Sequence, residues 1–145
     1  SNSYGGCDLY FRRIDKYNRW SKEYNLGNKV NSSSWDTQAR FSPDGKYLYF
    51  VSNRNGGFGG DDIWRSEIKN GKFSEPQNLG PTINTISDEM SPFLYSDNLT
   101  FYFASKGHIG MGSYDIFVSR RSNTSTKWLK PKNIGFPINT HKPEN

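Results

Sequence analysis

The sequence predicts an all-β fold made of a four-stranded unit that recurs every 53 to 55 residues. Recurrence is the first observation. A glycine-rich loop closing on Asp and a β-rich run appears at residues 52–64 and again at residues 105–117, and its second half opens the chain at residues 5–10. Repetition at a fixed spacing reports architecture before it reports function. The second observation is composition. Hydrophobic residues are only 32% of 145, yet aromatics reach 16%, and aromatic side chains favour strands and bury large areas. The third is the lack of any useful stretch of helical periodicity.

Each unit carries four strand signals in order. The first is centred on Gln38 to Ser42 and on Ser91 to Tyr95. The second is Tyr47 to Ser52, or Leu99 to Ser105. Asp62 to Ile68 and Asp115 to Arg121 form the third. The fourth runs Phe73 to Leu79, or Trp128 to Ile134. Pro43-Asp44-Gly45 and Asn70-Gly71 supply the turn chemistry between strands. The second copy has Ser96-Asp97-Asn98 for Pro43-Asp44-Gly45, and Asn tolerates the left-handed conformation that such a turn needs.

Three copies of the later half align. Asp8, Asp62 and Asp115 open the third strands. Trp20, Phe73 and Trp128 follow, then Asn25-Leu26-Gly27, Asn78-Leu79-Gly80 and Asn133-Ile134-Gly135, then Val30-Asn31, Ile83-Asn84 and Ile138-Asn139. Four strands at this period describe a β-propeller blade of antiparallel strands. The phase divides the chain into a disordered or appended lead at 1–4, a half blade at 5–34, blades at 35–87 and 88–142, and a tail at 143–145. About two and a half blades make an incomplete propeller. The remaining blades are expected from the rest of a longer chain or, alternatively, from self-association.

Net charge is +5, but Lys and Arg are scattered, with short pairs at Arg12-Arg13 and Arg120-Arg121. That reads as a mixed solvated surface and not as a nucleic-acid site. Cys7 is the single cysteine, so no intrachain disulfide forms. No apolar run approaches the ~18 residues of a spanning helix, and direct membrane insertion is not expected.

The run Ser42 to Arg54 (Ser-Pro-Asp-Gly-Lys-x-Leu-Tyr-Phe-x-Ser-Asn-Arg) resembles the TolB-like, WD-repeat-like propeller repeat of Pro-Asp type. Gly-Gly-x-Asp-Ile-Trp, then Phe73 to Thr85 and Asp88-Glu89, is similar to the form found in Bacteroidetes outer-membrane-associated OmpA-family proteins. One branch of these resembles the PorE component of type IX secretion. The resemblance covers residues 5 to 142 and implies a periplasmic, outer-membrane-associated scaffold with protein partners in the cell envelope. The helical repeats and OmpA-like domain of that family are absent from this sequence, so peptidoglycan binding is not implied.

The motifs that suggest chemistry also have plain structural readings. A glycine loop cradles phosphate when a helix N-terminus stands behind it, whereas residues 56–60 precede a strand. Asp8, Asp62 and Asp115 suit loop capping through backbone N–H groups, with a weak Ca²⁺ site at Asp61-Asp62 as the alternative. Asp88-Glu89 is an acidic pair, matched by Trp35-Asp36, but neighbours on a strand point oppositely and do not make a glycosidase pair. His108 and His141 are the two histidines, without zinc spacing, and no nucleophile elbow is present. Cys7 occupies the position of Asp61 and Tyr114. The expectation is therefore no catalytic, cofactor-binding or metal residues.

Function is expected where the copies differ, on the face carrying the long loops 31–36, 53–60, 82–89 and 106–112. The candidate interaction face comprises Trp35, Asp36, Arg40, Asn53, Arg54, Asn55, Asp88, Glu89, Lys106, His108 and Met111. A protein partner is the leading expectation, a glycan or peptide ligand the second, and a hydrolase-associated role the third.

Overall fold

The computed structural model describes residues 3–141. Ser1, Asn2, the end of the last unit at 142 and the tail at 143–145 lie outside the described residues. Among the described residues every regular element is a strand, and all strand pairing is antiparallel. The short pair β1 (Tyr10–Phe11) and β2 (Tyr24–Asn25) comes first. Sheet A holds β3 (Asp36–Phe41), β4 (Tyr47–Ser52), β5 (Asp62–Lys69), β6 (Lys72–Phe73) and β7 (Gln77–Asn78). Sheet B holds β8 (Glu89–Leu94), β9 (Thr100–Ser105), β10 (Asp115–Arg120) and β11 (Lys132–Asn133) in the order β11-β10-β9-β8.

Two boundaries differ from the sequence expectation. The first strands begin two residues earlier, at Asp36 and Glu89, which pair with Ser52 and Ser105. Their registers then slip at a bulge where Gln38 and Ser91 take φ of 51° and 54°. An extra residue in one strand is what a bulge inserts, and a polar residue there reads as a loop. The fourth strands are also shorter. Glu75-Pro76 splits the first into β6 and β7, and Pro131 precedes the two-residue β11, because proline cannot donate to a ladder. The turn reading holds in both copies: Gly45 and Asn98 have φ of 69° and 56°.

Alternation along β4 explains how the sheets stack. Leu48 and Phe50 face one way and bury against Val30, Leu9 and Leu26 of the first unit, together with Trp64. Tyr49 and Val51 face the other way and bury with Ile63 and Ile83 against Leu94, Phe101, Phe103, Phe117 and Trp128 of sheet B. A strand buried on both faces loses the polar alternation of a half-exposed one, and each such side chain contributes about 1.5–3 kcal/mol. Of the recurring aromatics, Trp128 and Phe73 join these cores, whereas Trp20 is 65% exposed.

A polar network recurs three times with the same geometry. Asn31, Asn84 and Asn139 each clamp the residue after the strand-opening Asp, accepting its N–H and donating to its C=O: Leu9, Ile63 and Ile116. The same amides donate to Asn25, Asn78 and Asn133. Those in turn donate to Asp8, Asp62 and Asp115 at 2.8–3.1 Å. The Asp carboxylates cap the glycine loops. Asp8 accepts the N–H of Tyr4 and Gly5, Asp62 that of Phe58, and Asp115 that of Met111 and Gly112. The network satisfies most of the buried polar groups it links, while Asp62 Oδ1 and Asp115 Oδ1 are buried without a hydrogen-bond partner.

Candidate functional site

The register Asp36↔Ser52↔Asp62 in sheet A and Glu89↔Ser105↔Asp115 in sheet B puts all the long loops at one end of the sheets. Consecutive units meet there through backbone bonds. Gly6 N–H donates to Ser34 O and Asp36 N–H to Cys7 O; one unit later Gly60 N–H donates to Ser87 O and Glu89 N–H to Asp61 O. Approach is close enough to demand glycine: a Cβ on Gly59 would sit 2.4 Å from Ser87 O, and one on Gly5 2.3 Å from Ser34 O.

Three variable repeat positions converge on this end. Around sheet B four residues fill them: Asp61 and Tyr114 from successive units at one position, and Asp88 and Lys106 at the other two. Asp88 accepts from the Asp61 N–H at 3.2 Å and from the Tyr114 hydroxyl at 3.1 Å, and Lys106 Nζ lies 3.8 Å from it. The Lys106 ammonium also sits 5.7 Å from the Tyr114 ring centre. Burial holds the Asp61 carboxyl above its ordinary range, helped by the Asp88 and Asp62 carboxylates. Burial likewise raises the Tyr114 phenol, with its hydrogen bond to Asp88 and that carboxylate's charge adding to it. One unit earlier the same positions carry Cys7, Trp35 and Asn53. Trp35 N–H donates to Asn53 Oδ1 at 3.0 Å, and its indole, in a residue 60% exposed, covers Gly6.

Several candidates leave the interaction face. Asp36 and Glu89 are fully buried, and the Arg54 side chain is 13% exposed. Arg54 pairs with Asp36 at 2.5 Å, donates to the Val30 carbonyl and the Ser52 hydroxyl, and stacks over Phe50 and Trp64. This is packing between units, because a desolvated carboxylate needs a partner. His108 is half-buried and does the same for the next junction: its Nε2 reaches the Ile83 carbonyl at 2.8 Å and its ring meets Phe103 and Phe117. A carbonyl only accepts, so Nε2 carries the hydrogen. Met111 is half-buried, its N–H capping Asp115. Asn55 is exposed on the loop end.

Arg40 belongs elsewhere. It lies over the Phe93 ring at 5.7 Å, in a groove of about 480 Å³ between the first strands, lined also by Gln38, Ala39, Ser91 and Pro92. Gln38 Oε1 accepts the Ser91 N–H across it at 2.6 Å. A second cleft of about 500 Å³ opens between the sheets near Tyr47, Arg65, Gln77 and Trp128. Asp61 and Tyr114 belong to the loop-end cluster although neither stood among the candidates. Their signal was present in the sequence, where Cys7, Asp61 and Tyr114 differ at one repeat position.

In the cluster the polar donors and acceptors are engaged with each other. Among the described residues no three of His, Cys, Asp and Glu form a set able to hold a metal ion. No protein-family model matches the chain, and no curated protein matches it.

Proposed function

We propose that this chain forms about two and a half blades of a β-propeller and serves as a non-catalytic scaffold for protein–protein contact in a bacterial cell envelope. The outer-membrane and periplasmic setting, and the link to type IX secretion, come from the repeat resemblance. One observation carries the scaffold reading. Frame residues such as the Asp-Asn-Asn network repeat in all three copies, while the loop-end positions diverge into Trp35-Asn53-Cys7 and Asp88-Lys106-Tyr114 on the same surface. Conserving the frame while varying one end is how a rigid scaffold presents a binding face.

The test is capture of partners from envelope extracts by the chain, compared with Trp35→Ala and Lys106→Glu variants. Loss of the same captured protein in both variants, with the fold unchanged by circular dichroism, supports the reading. Capture that is indifferent to both changes sinks it. A glycan or peptide ligand is the second reading, favoured by the open indole of Trp35 beside Asn53. Glycan-array binding that Trp35→Ala abolishes would promote it.

A further inference from the structure

The two inter-unit junctions are internal controls for a third surface. At the first, Val30 is fully buried beneath Leu48 and Phe50 of the following unit. At the second, Ile83 and Ile63 are fully buried and Tyr49 and Val51 are 1% exposed, covered by Phe101, Phe103 and Phe117. Sheet B repeats the same face in Tyr102, Ala104, Ile116 and Ile138. There Ile138 is 59% exposed and Ile116 38%, and Tyr102 and Ala104 are half-buried. The donor differs as well. Val30 O receives Arg54 and Ile83 O receives His108, whereas among the described residues no side chain donates to the Ile138 carbonyl.

We propose that the outer face of sheet B is a docking surface for one further unit of this same repeat. The two filled junctions define what that unit presents. Its second strand carries Leu or Phe at alternate positions, as Leu48 and Phe50 or Phe101 and Phe103 do. Its third strand adds an aromatic, as Trp64 or Phe117 does, and a basic donor follows the second strand to reach the Ile138 carbonyl, as Arg54 or His108 does. A second copy of this chain does not fit. Both of its second strands already spend these side chains on Val30 and Ile83. Its first unit exposes Tyr4, Tyr10, Ile14, Tyr17, Trp20 and Tyr24, but among the described residues it has no second strand to present Leu or Phe at alternate positions. An apolar side chain exposed at Ile138, a position fully buried as Val30 and as Ile83 in the same molecule, marks an interface.

This inference rests on the blade reading of the fold, not on the loop-end contact face, and its test reads a different surface. The chain is extended at its end by a second copy of residues 35–87, in a Cys7→Ser background carrying Ile138→Cys. Maleimide labelling of position 138 is expected to slow about tenfold or more in the extended chain, because labelling then requires local opening. Leu48→Asp and Phe50→Asp in the appended copy should restore fast labelling. An extension by residues 88–141 provides a second occupant should the first fail to fold. Equal labelling rates with and without both extensions overturn the proposal. A dimer of the unextended chain that Ile138→Asp converts to monomer also overturns it, since the occupant would then be a second copy.

Discussion

Asp36 with Arg54 and Glu89 with His108 stand at the same place in successive units, yet they are built differently. In the first, a short buried carboxylate takes the N–H and hydroxyl of Ser32 at 2.6 and 2.9 Å and is neutralised by a guanidinium. In the second, one more methylene lets Glu89 reach the Ser105 hydroxyl at 2.6 Å as well as Thr85, and no ion pair to it exists among the described residues. The donor to the preceding unit's carbonyl becomes an imidazole one residue further along the loop. The junction therefore requires a buried acceptor, a hydroxyl and a donor to the preceding unit. It does not require particular residue types, since hydrogen bonds and charge can each satisfy a buried carboxylate.

The largest test of this contrast is Arg54→Ala. It strips the cation from a buried carboxylate and the donor from Val30 O, and should cost about 3–5 kcal/mol by denaturant midpoint. A loss of under about 1 kcal/mol would mean that the serine bonds alone hold Asp36. Next comes Asn84→Ala, which orphans the Ile63 N–H in a closed core and leaves its C=O with the Leu79 N–H alone. At about 1–3 kcal/mol per orphaned group, it should cost more than Asn139→Ala, whose junction is open to water beside Ile138. Equal losses in the two variants would break the comparison between closed and open junctions.

Glu89→Gln follows, at about 1–2 kcal/mol, because an amide keeps one acceptor and turns the other oxygen into a donor facing Thr85 or Ser105. Its loss should be smaller than that of Arg54→Ala, and thermal unfolding of the two variants side by side reads the order. Asp61→Asn should have the smallest effect, and the opposite sign. The folded-state value of Asp61 lies above its ordinary one. Below the ordinary value both states are protonated, and stability falls as pH rises from there through the folded value. The variant should thus be slightly more stable at pH 7 and equal to the parent below about pH 3.5. An unfolding midpoint against pH at which variant and parent do not converge in acid would remove the burial of the Asp61 carboxyl, and the repulsion from Asp88 and Asp62 that adds to it, from the account.

Much of the fold was legible because period and turn chemistry are local. The second strands, the capping Asp residues and the left-handed Asn98 follow from neighbours in sequence. The bulges at Gln38 and Ser91 were not legible, since a polar residue at positive φ inside a strand looks like a loop until its partner strand is seen. The site divided in the same way. Divergence between copies picked out Trp35, Asn53, Asp88 and Lys106, which lie together at the loop end of the sheets. It also drew in Asp36, Arg54, Glu89 and His108, whose divergence is compensation inside a junction.

The sequence by itself determined an all-β chain of antiparallel strands and which positions vary between its repeats, because glycine, proline, Asp and alternating apolar residues act within a few residues of themselves. Only the tertiary structure decided which variable residues face solvent and which face the next unit. Burial depends on what packs on the far side of a sheet, and the same face is closed at Ile83 and open at Ile138.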